Sequence, residues 1–150
     1  LFFLLLFTGG CAGSTGGGIK MVRHFVLIKN SIIELKRLIH PRAVIPVRFN
    51  KGTVATDIIS NVLAFFLFYI FIFVAGTMIM SLIGLDFLTA MGATATSLGN
   101  VGPAIAGVGP TLNFANVPDI GKWVLSILML MGRLELFTIL IIFSPAFWKK

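Results

Sequence analysis

A chain of 150 residues that is 57% hydrophobic and only 11% charged, with a mean hydropathy of +1.03, lacks the polar surface a water-soluble domain requires. Its net charge of +7 would point to nucleic acid in a soluble protein. Here eight of the twelve Lys and Arg lie from Lys20 to Lys51, between apolar runs, which is the pattern of a cytoplasmic membrane flank.

The first apolar run, Leu1 to Phe7, has neither a Met nor a basic region before it, unlike a signal peptide. Thr8 also stands where a lipoprotein cleavage box takes a Leu-like residue. The expectation is a chain that continues before Leu1. Thr8 to Gly18 follows, and six of those eleven residues are Gly, so a regular helix does not persist there. The lone cysteine, Cys11, excludes an internal disulfide and a cysteine-based metal cluster within the chain.

From Ile19 to Ile39 a helical pattern resumes. Val22, Phe25, Val26, Ile28, Ile32, Ile33 and Leu35 alternate with Lys20, Arg23, Lys29, Lys36 and Arg37. This stretch is amphipathic and too charged to span lipid. His40-Pro41 ends it. Arg42 to Gly52 reads as a polar linker, with a short extended piece over Ala43 to Phe49.

Asp57 to Leu85 is the second long apolar stretch. Its core, Val62 to Ile83, has no charged residue and as a helix is about 33 Å long, enough to cross a bilayer. Asp86 can N-cap a short helix from Phe87 to about Thr96, which reaches only about 15 Å. Ser97 to Pro103 and a Gly/Ala/Pro-rich stretch to Pro110 come next, then a polar loop from Thr111 to Pro118. The last apolar stretch, Ile120 to Trp148, is broken by Arg133 and Glu135 and carries Trp123, Phe147 and Trp148 near its ends, as interfacial aromatics do. Lys149 and Lys150 close the chain.

Charge orients these segments. The basic stretch and the C-terminal lysines both belong on the cytoplasmic side, so an even number of crossings must separate them. With two full-length spans and one half-length helix, the short piece enters and leaves on the outer side as a re-entrant pore loop. Irregular backbone at that depth is tolerated only where it lines water or is buried in protein. The expected fold class is an all-α membrane protein built as span, pore loop, span.

Three constellations carry chemistry. In Ala95 to Gly102, the tripeptide Asn100-Val101-Gly102 has the form of the Thr-Val-Gly core of potassium filters. There backbone carbonyls replace the ion's water, and glycine allows the angles that turn successive carbonyls inward. The preceding short helix would present its negative dipole end to the cation. The competing reading is a Gly-rich outer loop. The second is the Gly/Ser/Thr cluster from Thr8 to Gly18. It lacks the Gly-Lys-Ser/Thr ending of a phosphate loop, since Gly18-Ile19-Lys20 does not fit. It reads as an unwound intramembrane segment rather than a small-residue packing site. The third is Arg133, about eleven residues inside the last span. It is an electrostatic barrier beneath a cation filter, a latch to the Gly-rich loop, or a structural ion pair. Glu135, two residues on, points to another helical face. Glu34, Asp57, Asp86, Asp119 and Glu135 are scattered, with no paired-carboxylate, metal or nucleophile spacing, so no enzyme is expected. His24 and His40 lie in the basic stretch and read as solvated.

Together, Gly9 to Lys20, Glu34 to Pro41 and Gly132 to Thr138 resemble the Trk/Ktr/HKT superfamily, and within it the TrkH family, over nearly the whole chain. The resemblance implies a pseudo-fourfold, potassium-channel-like architecture of four span–pore loop–span repeats. Residues 1–40 would be the second span of the third repeat, with its unwound loop and cytoplasmic extension. Residues 41–56 would be a cytoplasmic linker, and 57–150 the fourth repeat. It places a potassium filter at Asn100, Val101 and Gly102. A gate would be formed by Gly13, Ser14, Thr15, Gly16, Gly17 and Gly18 with Arg133 facing it. Glycine at the filter position goes with potassium in the superfamily, and serine in one repeat with sodium-permeable plant members. It further implies potassium as the transported ion with no organic cofactor, a homodimer in the lipid of the bacterial inner membrane, and a cytoplasmic nucleotide-binding regulatory subunit of the TrkA type. No nucleic-acid partner is implied. An ion-coupled secondary transporter with a discontinuous helix and a non-transporting membrane assembly subunit are the competing readings.

Overall fold

The structure, a computed structural model, describes residues 2–11, 17–39, 48–49, 52–53, 56–109 and 113–134. The first helix, α1 (Phe2–Leu5), stops within the apolar run. Thr8 closes it, because both its N–H and its Oγ1 hydroxyl donate to the Leu5 carbonyl, at 3.1 and 2.7 Å. The chain then leaves the helix and returns to the same place. Thr8 and Ile19 form a parallel bridge, Gly9 N–H donates to Ile19 O at 2.8 Å, and Met21 N–H donates to Gly10 O at 3.2 Å. The Gly-rich segment is therefore non-helical at both described ends, as expected, and is tied at its base. Residues 12–16 lie outside the described residues.

Helix α2 (Met21–Ile39) follows, starting two residues later than Ile19, because Ile19 is held in the bridge. It turns Val26, Asn30 and Ile33 inward and packs against the next long helix. Glu34 and Arg37 pair across one turn of its exposed face. Of the extended piece expected over Ala43 to Phe49, the described part is β1 (Arg48–Phe49). It pairs antiparallel with β2 (Gly52–Thr53), Arg48 opposite Thr53 and Phe49 opposite Gly52.

Helix α3 (Thr56–Leu82) has 27 residues and is about 40 Å long. It is apolar all round, and its outward residues stay uncovered: Leu67, Phe71 and Met78 are each more than 60% exposed. Such a face suits lipid rather than water. The opposite face meets Phe3 and Phe7 of the first segment through ring contacts with Tyr69 and Phe73. The span stops three residues short of the expected Leu85. Gly84, at φ +107, donates to Ser81 O, and Leu85 donates to Met80 O, the paired bonds of a Schellman closure.

Helix α4 (Phe87–Gly99) starts where the sequence places it, with the Asp86 carboxylate accepting from Leu88 N–H at 3.3 Å. It runs one turn beyond Thr96, to 13 residues and about 20 Å, still short of a membrane crossing. A second Schellman closure ends it. Asn100, at φ 53 and ψ 39, donates to Ser97 O at 3.2 Å, and Val101 donates to Thr96 O at 3.1 Å. Short 3-10 turns at Ala106–Val108 and Phe114–Asn116 lead to α5 (Asp119–Arg133). The expected last span continued to Trp148, but residues 135–150 lie outside the described residues.

Glycines reveal how the helices lie together. A Cβ added at Gly76 of α3 would come within 2.9 Å of Thr94 Cγ2 in α4 and 3.0 Å of Leu128 Cδ1 in α5. One added at Gly121 of α5 would come within 3.2 Å of Met80 Cε. So α5 runs antiparallel to α3, and α4 runs in the direction of α5.

Candidate functional site

The site is the end of α4 and the chain that returns from it. After Asn100 the backbone reverses and climbs back beside α4. Thr96 Oγ1 donates to Pro103 O at 3.2 Å. A Cβ at Gly92 would sit 2.8 Å from Ile105 O, and Gly107 N–H donates to Thr89 Oγ1 at 3.1 Å. Residues 101–107 thus retrace the helix toward its start, which makes a half-length helix followed by an extended return strand. Ala90 and every residue from Gly92 to Gly99 are buried, so α4 is sheathed in protein, while Val101, Gly102 and Pro103 are exposed.

Along the return strand the backbone alternates. Asn100 has φ 53, Gly102 has φ +100, and Val101 between them is not in the left-handed region. Among the described residues no donor reaches the carbonyls of Asn100, Val101 or Gly102, whereas those of Thr96, Ser97 and Pro103 all accept hydrogen bonds.

The end of α4 is wedged against three other stretches of the chain. A Cβ at Gly99 would lie 2.7 Å from Leu6 O, which brings the first segment to the helix end. A Cβ at Gly132 of α5 would run into Leu98 O. Asn100 Nδ2 donates to Met129 O in α5 at 3.0 Å. Gly17 abuts Asn100 from the other side, since a Cβ there would lie 2.7 Å from Nδ2. The sequence-derived candidates Asn100, Gly17 and the neighbour of Arg133 therefore meet at one point. Gly18, at φ +78, lies beside Gly9 and Gly99. Gly13, Ser14, Thr15 and Gly16 lie outside the described residues. Arg133 is on the last turn of α5, exposed, and no described residue forms an ion pair with it.

The family model named TrkH and described as a cation transport protein matches residues 1–150. The chain belongs to the TrkH family. It is 45% identical over 151 residues to the Trk system potassium uptake protein TrkI of Halomonas elongata, covering 99% of this chain and 30% of that protein. It is 44% identical over 150 residues to the Trk system potassium uptake protein TrkH of Vibrio parahaemolyticus, covering 98% and 30%. The crystal structure of the potassium transporter TrkH from V. parahaemolyticus matches with a TM-score of 0.88 at 43% identity, covering 98% of this chain and 31% of that one. The mostly helical fold is thus that of a TrkH-family transporter, and the chain spans less than a third of the length of these relatives.

Within this TrkH-family fold, two features escaped the sequence. One is the Asn100 side chain, whose signal was Asn at a helix C-terminus, a residue type that accepts left-handed backbone. The other is Gly132, legible only as a glycine preceding Arg133. One expectation is refined: His24, read as solvated, is half-buried. Packing of α2 on α3 sets its ring edge-on to Phe66, 6.3 Å between centroids, with Nδ1 buried. His40 lies outside the described residues.

Proposed function

We propose that this chain supplies one filter strand and one gate of a potassium-uptake pore that crosses the bacterial inner membrane several times. The reading rests above all on one observation: the half-length helix α4 ends at Asn100 and hands over to an exposed strand that retraces it. Positive φ at Asn100 and Gly102, on either side of Val101, gives this stretch the irregular backbone that a filter of backbone oxygens calls for. The C-terminal, negative end of α4 faces the same place. Potassium is cargo, and no organic cofactor is involved.

On this reading residues 57–150 form a span–pore loop–span unit, one of four arranged pseudo-fourfold. Residues 1–40 bring the preceding span with its unwound loop, and 41–56 form a cytoplasmic linker. Gly13, Ser14, Thr15, Gly16, Gly17 and Gly18 form the gate and Arg133 the cationic element beside it. The working form is a homodimer with a TrkA-type cytoplasmic regulatory subunit, which the basic stretch from Lys20 to Lys51 suits.

The test is rubidium uptake by potassium-uptake-deficient bacteria expressing the full-length protein that carries this sequence, with and without Gly102→Ser. Potassium-competed uptake that loses selectivity in the variant supports the filter at Gly102. Equal uptake and selectivity at equal membrane expression removes it.

A further inference from the structure

The Asn100 side chain stands where three segments converge. Its Nδ2 donates to Met129 O, 29 positions along the chain. On one side is Gly17, where an added Cβ would lie 2.7 Å from Nδ2 and 2.9 Å from the Asn100 Cβ. On the other is Gly132, where an added Cβ would lie 3.0 Å from Nδ2. A Cβ at Gly17 would force the amide to shift, and one at Gly132 would crowd it and run into Leu98 O, so the amide fills a slot that glycine on both walls leaves open.

We infer that Asn100 is a positioning residue that works through its side chain as well as its carbonyl. The amide hangs the filter strand from α5 one turn before Arg133. It also bears on the Gly-rich segment at Gly17, so a movement of that segment reaches the carbonyls of residues 100–102. The inference rests on the filter reading above.

A left-handed helix end by itself needs no amide. Glycine serves that backbone at least as well as asparagine. If Asn100 were only a helix cap, Asn100→Gly would be neutral or mildly stabilising. If it is the tie, the same substitution keeps the backbone conformation, removes the bond to Met129 and empties the slot between Gly17 and Gly132. The two roles therefore predict opposite results for one variant.

The experiment measures rubidium and sodium uptake of the full-length protein carrying this sequence, normalised to its amount in the membrane. The variants are Asn100→Gly, Gly17→Ala, their double, and Gly102→Ser as the filter reference. Asn100→Gly is expected to lower the rubidium-to-sodium ratio about fivefold, the factor that the net worth of one hydrogen bond represents. Gly17→Ala is expected to depress uptake by driving its Cβ into the amide. The double is expected to recover uptake to the level of Asn100→Gly, because two of the three closest contacts vanish with the side chain and Gly99 O at 3.0 Å remains. A wild-type ratio in Asn100→Gly while Gly102→Ser shifts it overturns the inference and leaves Asn100 a cap. Effects that simply multiply in the double overturn the contact with Gly17. No shift in Gly102→Ser overturns the filter reading itself, an outcome separate from the other two.

Discussion

Gly84 and Gly102 form a matched pair that separates backbone strain from ion selection. Their φ angles are +107 and +100, and a Cβ added at either meets nothing within 4 Å. Alanine at either site thus adds strain without a clash. A non-glycine residue held in that region costs about 1–3 kcal/mol. The reduced freedom of the unfolded chain returns about 0.4–1 kcal/mol. The net loss is up to about 2.5 kcal/mol for each variant, and unfolding of the detergent-solubilised full-length protein should show two nearly equal decrements. The places differ, however. Gly84 closes α3, whereas Gly102 follows Val101 in the return strand. Relief of the strain at Gly102 rotates the adjoining peptide and the carbonyl it carries. If about 1.4 kcal/mol of it appears as a difference between ions, the rubidium-to-sodium ratio falls roughly tenfold. Gly84→Ala should leave that ratio at its wild-type value. A shift of similar size in both variants, or in neither, refutes the argument that the backbone at Gly102 sets selectivity.

Asp86→Ala removes the carboxylate that accepts from Leu88 N–H. The bond is long and exposed, so denaturant unfolding should show a loss near the lower end of the cap range, about 0.5–1 kcal/mol, with no change in ion ratio. Thr96→Val keeps the side-chain shape and removes the hydroxyl that ties the return strand at Pro103. It should cost about 0.5–1.5 kcal/mol and, unlike the Asp86 variant, should also broaden ion selectivity in the uptake assay. Gly132→Ala and Gly121→Ala both add a methyl group to α5 but meet different neighbours. At Gly121 these are side-chain atoms, the stiff Val117 Cγ1 at 2.9 Å and the flexible end of Met80 at 3.2 Å, and at Gly132 the Leu98 carbonyl, which is backbone and much closer. Overpacking of about 1–3 kcal/mol or more is expected at Gly132, and the yield of monodisperse protein after extraction should drop there and hold at Gly121.

The parts legible in the sequence are those set by composition and by local chemistry. The unbroken apolar run Val62 to Ile83 could only be a long helix with lipid-compatible surface, and α3 contains almost all of it. Asp86 announced the start of α4 through an ordinary cap. The Gly-rich stretch announced a break through propensity alone, and Thr8 to Gly10 and Gly17 to Lys20 are indeed outside any helix. Helix ends were less legible, because they depend on hydrogen bonds formed after the chain has turned. Thr96 looked like a terminus, yet its carbonyl is taken by Val101 N–H only once Asn100 adopts the left-handed conformation. The approach of Gly17 and Gly132 to Asn100 was not legible at all, since it links positions far apart in sequence through the absence of side chains. The half-burial of His24 was hidden for the same reason: it lies in a basic stretch of sequence, but its ring is set against Phe66 of α3.

The small residues of α4 explain how firmly the end of that helix is held. Ala90, Gly92, Ala93, Thr94, Ala95, Thr96, Ser97 and Gly99 are all buried, and the helix approaches α3 at Gly76, the return strand at Gly92 and α5 at Gly132. Contacts this close are between backbones or short side chains, which have few rotamers to adjust, so the end of α4 is held with little freedom to shift. Large side chains at these positions would have cushioned the helix and blurred the strand that follows it. With the geometry fixed in this way, Arg133 stands one residue beyond the Gly132 contact, in register with a helix end that cannot easily retreat from it. On the filter reading proposed above, the exposed Arg133 side chain is carried by the helix packed against the one that leads into residues 100–102.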